Sequence, residues 1–174
     1  MPPWQIELLD TSRHDRKTFR CGEEDLDRYL AQIARQADKQ NTGRTYVAID
    51  LADQGDTAGR RQVAGYVTLA MTAIVLELLP QAQRRSLPKQ VPAALLARLA
   101  VDQRYQGQRL GEYLLINALH QLVAAADKVA AHVIVVDALN QKAKDFYLKY
   151  EFIELADDPM HLFLPMETAR RLKP

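Results

Sequence analysis

Apolar positions change rhythm several times along the chain, and each rhythm points to an element. QIELL predicts a short first strand. In CGEEDLDRYLAQIARQADKQ, the residues Leu26, Tyr29, Leu30, Ile33, Ala34 and Ala37 recur at helical spacing and form one apolar stripe. Glu23, Glu24 and Asp25 stand at the end where a helix dipole is positive. TYVAID and QVAGYVTL predict two strands, and the polar, glycine-bearing LADQGDTAGRRQ between them predicts a hairpin. TAIVLELLPQAQRRSLPKQVP predicts a strand end and a short helix ahead of Pro88 and Pro92. LARLAVD predicts a buried strand, and Leu110 to Ala126 a long helix. AAHVIVVDA, a continuous apolar run, suits the middle of a sheet. QKAKDFYLKY predicts a helix, and FIEL and HLFLPM two short strands. Strands and helices alternate, which predicts an α/β layered fold, one domain over residues 1–174.

Composition narrows the class. The 174 residues are 48% hydrophobic and 26% charged, which suits a soluble globular domain with a real core. No apolar run approaches the roughly 20 residues of a membrane helix, and MPPWQIELLD lacks the regions of a signal peptide. Cys21 is the single cysteine, so no internal disulfide forms, which fits a reducing cytoplasm. A net charge of +1 does not by itself imply nucleic acid.

The stretch RYQGQRLGEYLL, residues 104–115, joins a predicted strand to a predicted helix. Unpaired N–H groups and the dipole make such a helix start attractive to anions. It is not a P-loop, because Gly111 is followed by Glu112, and the dinucleotide spacing of glycines is absent. On these residues alone two readings stay open. The loop holds an anion, or Gly107 serves a turn and Gly111 a helix–sheet contact.

The rest of the chain adds a resemblance. Arg104, Gly107, Gly111, Leu114 and Leu115 fit the acyl-CoA signature of the GNAT family of acetyl-CoA-dependent N-acetyltransferases, with Arg109 where a second small residue is usual. A second block, NQKAKDFYLKYEF, resembles that family through Asn140, Ala143, Phe146, Tyr147 and Phe152, with Glu151 in place of glycine. The resemblance implies a mixed central sheet flanked by helices, with acyl-CoA at a splay between two central strands. It implies that backbone N–H groups from Gln106 through Gly107, Gln108, Arg109 and Leu110 to Gly111 hold the CoA pyrophosphate, with Arg104, Asn140 and Phe146 contributing. It further implies an oxyanion donor near Leu99, Ala100 and Val101, and Tyr147 as the general acid on the leaving sulfur; no metal is involved. Read without the resemblance, Tyr147 is first of all a helix-face aromatic in the core.

FRCGEEDLDRYLAQIARQ, VPAALLARLAVDQRYQGQRLGEYLL and HLFLPM together resemble the GNAT toxins of bacterial type II toxin–antitoxin modules. That similarity implies acetylation of the α-amine of aminoacyl-tRNA and arrest of translation. The implied partners are a ribbon-helix-helix antitoxin, operator DNA through that antitoxin, and a second copy of the chain as a homodimer; no membrane is involved. For an RNA surface the first choices are Arg35, Lys39, Arg44 and Arg98, with Arg60, Arg61, Arg84, Arg85 and Lys89 as further basic groups. The alternatives are a solvated surface, a GNAT enzyme for a small amine or protein N-terminus, and a non-catalytic acyl-CoA binder. His14, His120, His132 and His161 show no catalytic spacing; His132 is expected to be structural at the start of a buried strand, and His120 to lie on a helix face. Cys21 is expected in a turn as a small buried residue, not as a nucleophile.

Overall fold

A computed structural model describes residues 2–172 of the chain. Contacts gather the chain into two compact units: residues up to Leu69 with Arg98–Leu115, and Ala70–Ala97 with residues from Ile116 onward.

In the first unit, β1 (Trp4–Leu8) runs antiparallel to β3 (Arg44–Asp50). β3 runs antiparallel to β4 (Arg61–Val75), with a bulge between Ala48 and Ile49, and the two-residue β2 (His14–Asp15) lies parallel to β4. Val63 to Leu69 of β4 are all buried, the pattern of a strand covered on both faces. Gly65 explains how the start of α3 (Leu110–Ala126) gets so close. A Cβ there would stand 2.7 Å from Leu114 Cδ1 and 3.0 Å from the Ala100 carbonyl oxygen.

The predicted first helix is broken by a wider turn. It comprises α1 (Glu24–Arg28), a π-helical turn at Tyr29–Ile33, and α2 (Ala34–Lys39). The Ala34 N–H reaches the Tyr29 carbonyl, five residues back. Side chains from outside the helix supply extra donors to nearby carbonyls. Arg16 Nη1 donates to Ala31 at 2.6 Å, and the Tyr66 hydroxyl donates to Leu26 at 2.8 Å. Tyr29, Leu30, Ala34 and Ala37 of the expected stripe are buried with Phe19, Val47, Ile49, Val63 and Tyr66. Ile33 is not: the widened turn rotates it out to 45% exposure, which corrects its place in the stripe.

In the second unit, β5 (Gln90–Val101) pairs in parallel with β6 (Val133–Asp137) at Ala93↔Val133, Ala94↔Ile134 and Leu95↔Val135. That register ends at Leu95, while β5 continues to Val101. β8 (His161–Pro165) lies antiparallel to β6, and β7 (Ile153–Glu154) antiparallel to β8. Ile74, Leu79, Val91, Ala93, Val133, Val135, Leu155 and Phe163 form its core. Helix α4 (Gln141–Leu148) and the short α5 (Met166–Ala169) complete the unit.

The mixture of parallel and antiparallel strands with helices is the α/β class expected. α3 has the bounds the periodicity predicts, whereas β4 continues six residues past Leu69 and β5 begins well before Leu96. Two 3-10 turns, Leu76–Leu78 and Gln81–Gln83, stand where a short helix was expected. His132 is corrected as well: it precedes β6, its side chain is exposed, and only its backbone is used, to Pro92 and Met166. The buried histidine is His14. Its Nδ1 accepts from the Asp10 amide at 2.9 Å, and its Nε2 lies 3.1 Å from Glu7.

Helix α4 ends in a motif that usually demands glycine. The Phe152 N–H reaches the Tyr147 carbonyl, the Glu151 N–H reaches Leu148, and the Phe152 and Tyr147 rings pack at 5.4 Å. Glu151 takes the left-handed conformation, φ +66°. Glu151→Gly should therefore stabilise the protein by about 1 kcal/mol, read as a higher denaturant midpoint with unchanged slope. A lower midpoint would show that the glutamate side chain contributes more than its backbone strain costs.

Candidate active site

The loop between β5 and α3 is built around one buried carboxylate. Asp102 is 1% exposed and follows the last residue of β5. Its oxygens accept from Arg104 Nε at 2.8 Å, Arg104 Nη2 at 3.0 Å, the Arg104 amide at 3.0 Å and the Arg20 amide at 2.9 Å. A 3-10 turn, Gln103–Tyr105, follows, then Gly107 at φ +76° and Arg109 at φ +67°, then the first turn of α3. A Cβ on Gly107 would meet nothing within 4 Å, so glycine is used there for its backbone angle and the space outside is open.

Arg109 keeps a left-handed backbone despite its side chain. That chain turns onto Glu112, with Nε to Oε2 and Nη2 to Oε1 both 2.8 Å. Side chains of the loop also fold back on it: Gln108 Nε2 donates to the Arg104 carbonyl, and Gln106 Nε2 to Val101 and Cys21. Arg104 ties the loop together, since its guanidinium also reaches Gln62. Residues Gln106 to Arg109 are exposed at a helix start whose first N–H groups have no intrahelical acceptor. This arrangement fits a diphosphate. Leu99 and Val101 are half-buried in the strand leading to the loop, while Ala100 and Leu110 are buried and Gly111 half-buried.

The second block lies on α4. Asn140 caps the helix, its Oδ1 accepting from the Ala143 amide at 2.9 Å. Lys144, buried, forms an ion pair with Glu154 of β7 and so holds the helix against the sheet edge. Tyr147 is 5% exposed, with ring contacts to Phe146 at 5.3 Å and Phe152 at 5.4 Å. Burial pushes its phenol pKa upward, so it is a proton donor throughout the neutral range.

The basic candidates divide sharply. Arg35 and Lys39 line a cleft of about 420 Å³ together with Glu7, Asp10, Arg13 and Asp38, and neither has an ion-pair partner among the described residues. Arg44 pairs with Asp38 and Asn41. Arg98 stacks on the buried Tyr29 ring, 3.6 Å from its centroid. Arg60 is paired with Asp56, Arg61 with Glu7, and Arg84 with the carbonyls of Leu79 and Glu77. Cys21 is half-buried; burial and the neighbouring Asp27 push its thiol up to about 12, so it is no nucleophile at neutral pH.

These features belong to a known class of fold. The acetyltransferase (GNAT) domain family matches residues 41–154, and the chain belongs to this family of acetyl-CoA-dependent N-acetyltransferases. A relative 37% identical over 158 residues, covering 91% of this chain and 90% of its own, is the tRNA-acetylating toxin of Mycobacterium tuberculosis strain ATCC 25618 / H37Rv. The structure of AtaT complexed with acetyl-methionyl-tRNAfMet is similar at TM-score 0.84 and 31% identity, covering 96% of this chain and 97% of that one. A Tyr-to-Phe mutant of the AtaT toxin, bound to the C-terminus of the antitoxin AtaR and acetyl-CoA, is similar at TM-score 0.80 and 29% identity, covering 97% of each chain.

Asp102 should be visible in the acid limb of stability. Burial raises its pKa, but the Arg104 side chain and the Arg20 and Arg104 amides outweigh that and hold it below the ordinary value. A carboxylate lowered on folding contributes stability above its unfolded pKa of about 3.9 and loses it as pH falls through the folded value. Wild type is expected to lose stability below about pH 4, and Asp102→Asn to be weaker at neutral pH but flatter over that acid range. Denaturant midpoints across the range measure both; equal acid slopes would contradict the assignment.

Proposed function

We infer that the protein is a toxin that transfers the acetyl group of acetyl-CoA to the α-amine of aminoacyl-tRNA, leaving a product that cannot accept a growing peptide. The carrying observation is the similarity to a tRNA-acetylating toxin along about nine-tenths of both chains, a stretch that includes both motif blocks. The chemistry is consistent with it. The α-amine of an aminoacyl ester is less basic than a lysine amine, so more of it is neutral and nucleophilic near pH 7.

In this reading the backbone of Gln106–Gly111 holds the CoA diphosphate. The neutral amine attacks the thioester carbonyl, and a backbone N–H of the Leu99–Val101 stretch donates to the oxygen as charge develops. The C–N bond forms and the C–S bond breaks. The Tyr147 hydroxyl gives its proton to the departing sulfur, and the proton shed by the acylated nitrogen passes to solvent, from which the phenol recovers its own. His14 is not the base, because both ring nitrogens are engaged by Asp10 and Glu7. Arg35 and Lys39, the uncompensated cations of the cleft, meet phosphates of the RNA, with Arg44 and Arg98 nearer their own partners. A ribbon-helix-helix antitoxin neutralises the toxin and carries it to operator DNA, and the toxin works in the cytoplasm as a homodimer.

Tyr147→Phe is expected to lower kcat for charged tRNA by roughly 10²- to 10⁴-fold, with CoA affinity little changed. The alkaline limb of wild-type kcat should lie above pH ~10, because burial raises the phenol pKa beyond its ordinary value. Unchanged kcat in the variant would remove Tyr147 from the chemistry. Arg35→Ala with Lys39→Ala should raise KM for tRNA and lower the log–log salt slope by about 1 for each phosphate no longer neutralised. An unchanged slope would place the RNA elsewhere.

A further inference from the structure

A polar clamp joins the acyl-CoA loop to the segment that enters the first helix. The Arg20 amide donates to Asp102 at 2.9 Å, and the Gln103 amide returns a bond to the Arg20 carbonyl at 2.8 Å. Gln106 Nε2 donates to the Cys21 carbonyl at 2.9 Å and to Val101 at 3.0 Å, so one amide group spans the strand end and the helix entry. These links cross 82 to 85 positions of sequence. From Cys21 the chain of bonds continues into α1, where the Cys21 amide donates to Asp27 at 2.8 Å. The same helix leads through the π turn to Arg35 and Lys39.

The ends of the clamp differ in what they have around them. Asp102 is buried, while the Gln106 bonds are exposed. Short polar links between loops lie at the low-stability end of a fold and open locally, so their equilibrium responds to a ligand that orders one side. A diphosphate on the backbone of Gln106–Gly111 would fix the residues that carry the clamp.

We propose that Asp102 and Gln106 are positioning residues that couple the acyl-CoA loop to the Arg20–Arg28 segment, so that CoA binding orders the helix facing the acceptor. The coupling rests on the acetyltransferase reading for its purpose, and on the RNA reading only for its effect on turnover. Because linkage is reciprocal, acceptor bound at that helix tightens the hold on CoA.

Hydrogen exchange with coenzyme A as the probe tests this. In wild type, saturating coenzyme A slows exchange of amides in residues 20–28 by about fivefold or more, alongside the loop itself. In Gln106→Ala, coenzyme A still protects the loop but no longer protects 20–28, and KM for the acceptor rises while KM for acetyl-CoA changes less. Asp102→Asn gives the same split. Should that variant fail to fold, Gln106→Ala, whose bonds are exposed, carries the test. Protection of 20–28 absent from wild type, or retained in Gln106→Ala, overturns the proposal. Failure of wild type to bind coenzyme A overturns the acetyltransferase reading and the proposal with it. Coupling that survives alongside a failure to acetylate charged tRNA leaves the clamp standing and overturns only the RNA reading.

Discussion

The Asp102 carboxylate is the constraint on which the loop between β5 and α3 depends. It ends β5, caps a 3-10 turn, binds Arg104 through three donors and accepts the Arg20 amide. A buried charge is expensive unless its acceptor capacity is filled, and here backbone and guanidinium donors fill it. Removing it would leave Arg104 Nε and Nη2 and two amides without their acceptor. The shape of the glycine loop is therefore set by the ion pair of a buried carboxylate, and the side chains of Gln106 and Gln108 bond back to backbone carbonyls. A helix start with free N–H groups in an exposed loop is what a diphosphate would recognise.

The two departures from the family pattern have the same physical resolution. Arg109 stands where a small residue is usual and Glu151 where glycine is, and both adopt the left-handed backbone that glycine would take. At Arg109 the side chain is held along α3 by Glu112, and the guanidinium offsets that acidic group in the first turn of a helix expected to face phosphate. At Glu151 the helix still closes over Tyr147 and Phe152 with the bonds of a glycine-terminated helix. The backbone geometry is retained and the strain is accepted locally. Tyr147 is thus held in an aromatic cluster whose burial keeps its phenol protonated, the state that an acid on a leaving thiolate needs.

How much of this was legible in the sequence follows from what each signal measures. The bounds of α3 and the run of β6 were readable because long, strongly patterned segments encode their own burial. The loop's glycines and Tyr147 were readable as a motif, but the motif said nothing of Asp102, whose role appears only when Arg20 is brought beside it from far along the chain. Ile33 fits a helical stripe drawn at 3.6 residues per turn, and no residue-level rule announces the π turn that expels it. His132 sits before an apolar strand and so suggested burial. The histidine that is buried, His14, sits in a polar stretch and is enclosed through Glu7 and Asp10. Among the basic residues, counting charges separated none of them. Ion pairs with Asp38, Asp56 and Glu7 engage Arg44, Arg60, Arg61 and Arg13, leaving Arg35 and Lys39 as the cleft cations with no ion-pair partner among the described residues.

The most direct test of the central claim is transfer of labelled acetyl from acetyl-CoA to a mixed tRNA pool, charged in one arm and deacylated in the other. Label is expected in the charged arm alone, released by mild base as N-acetyl amino acid. Label in both arms, or label appearing only on small amines or protein N-termini, would contradict it.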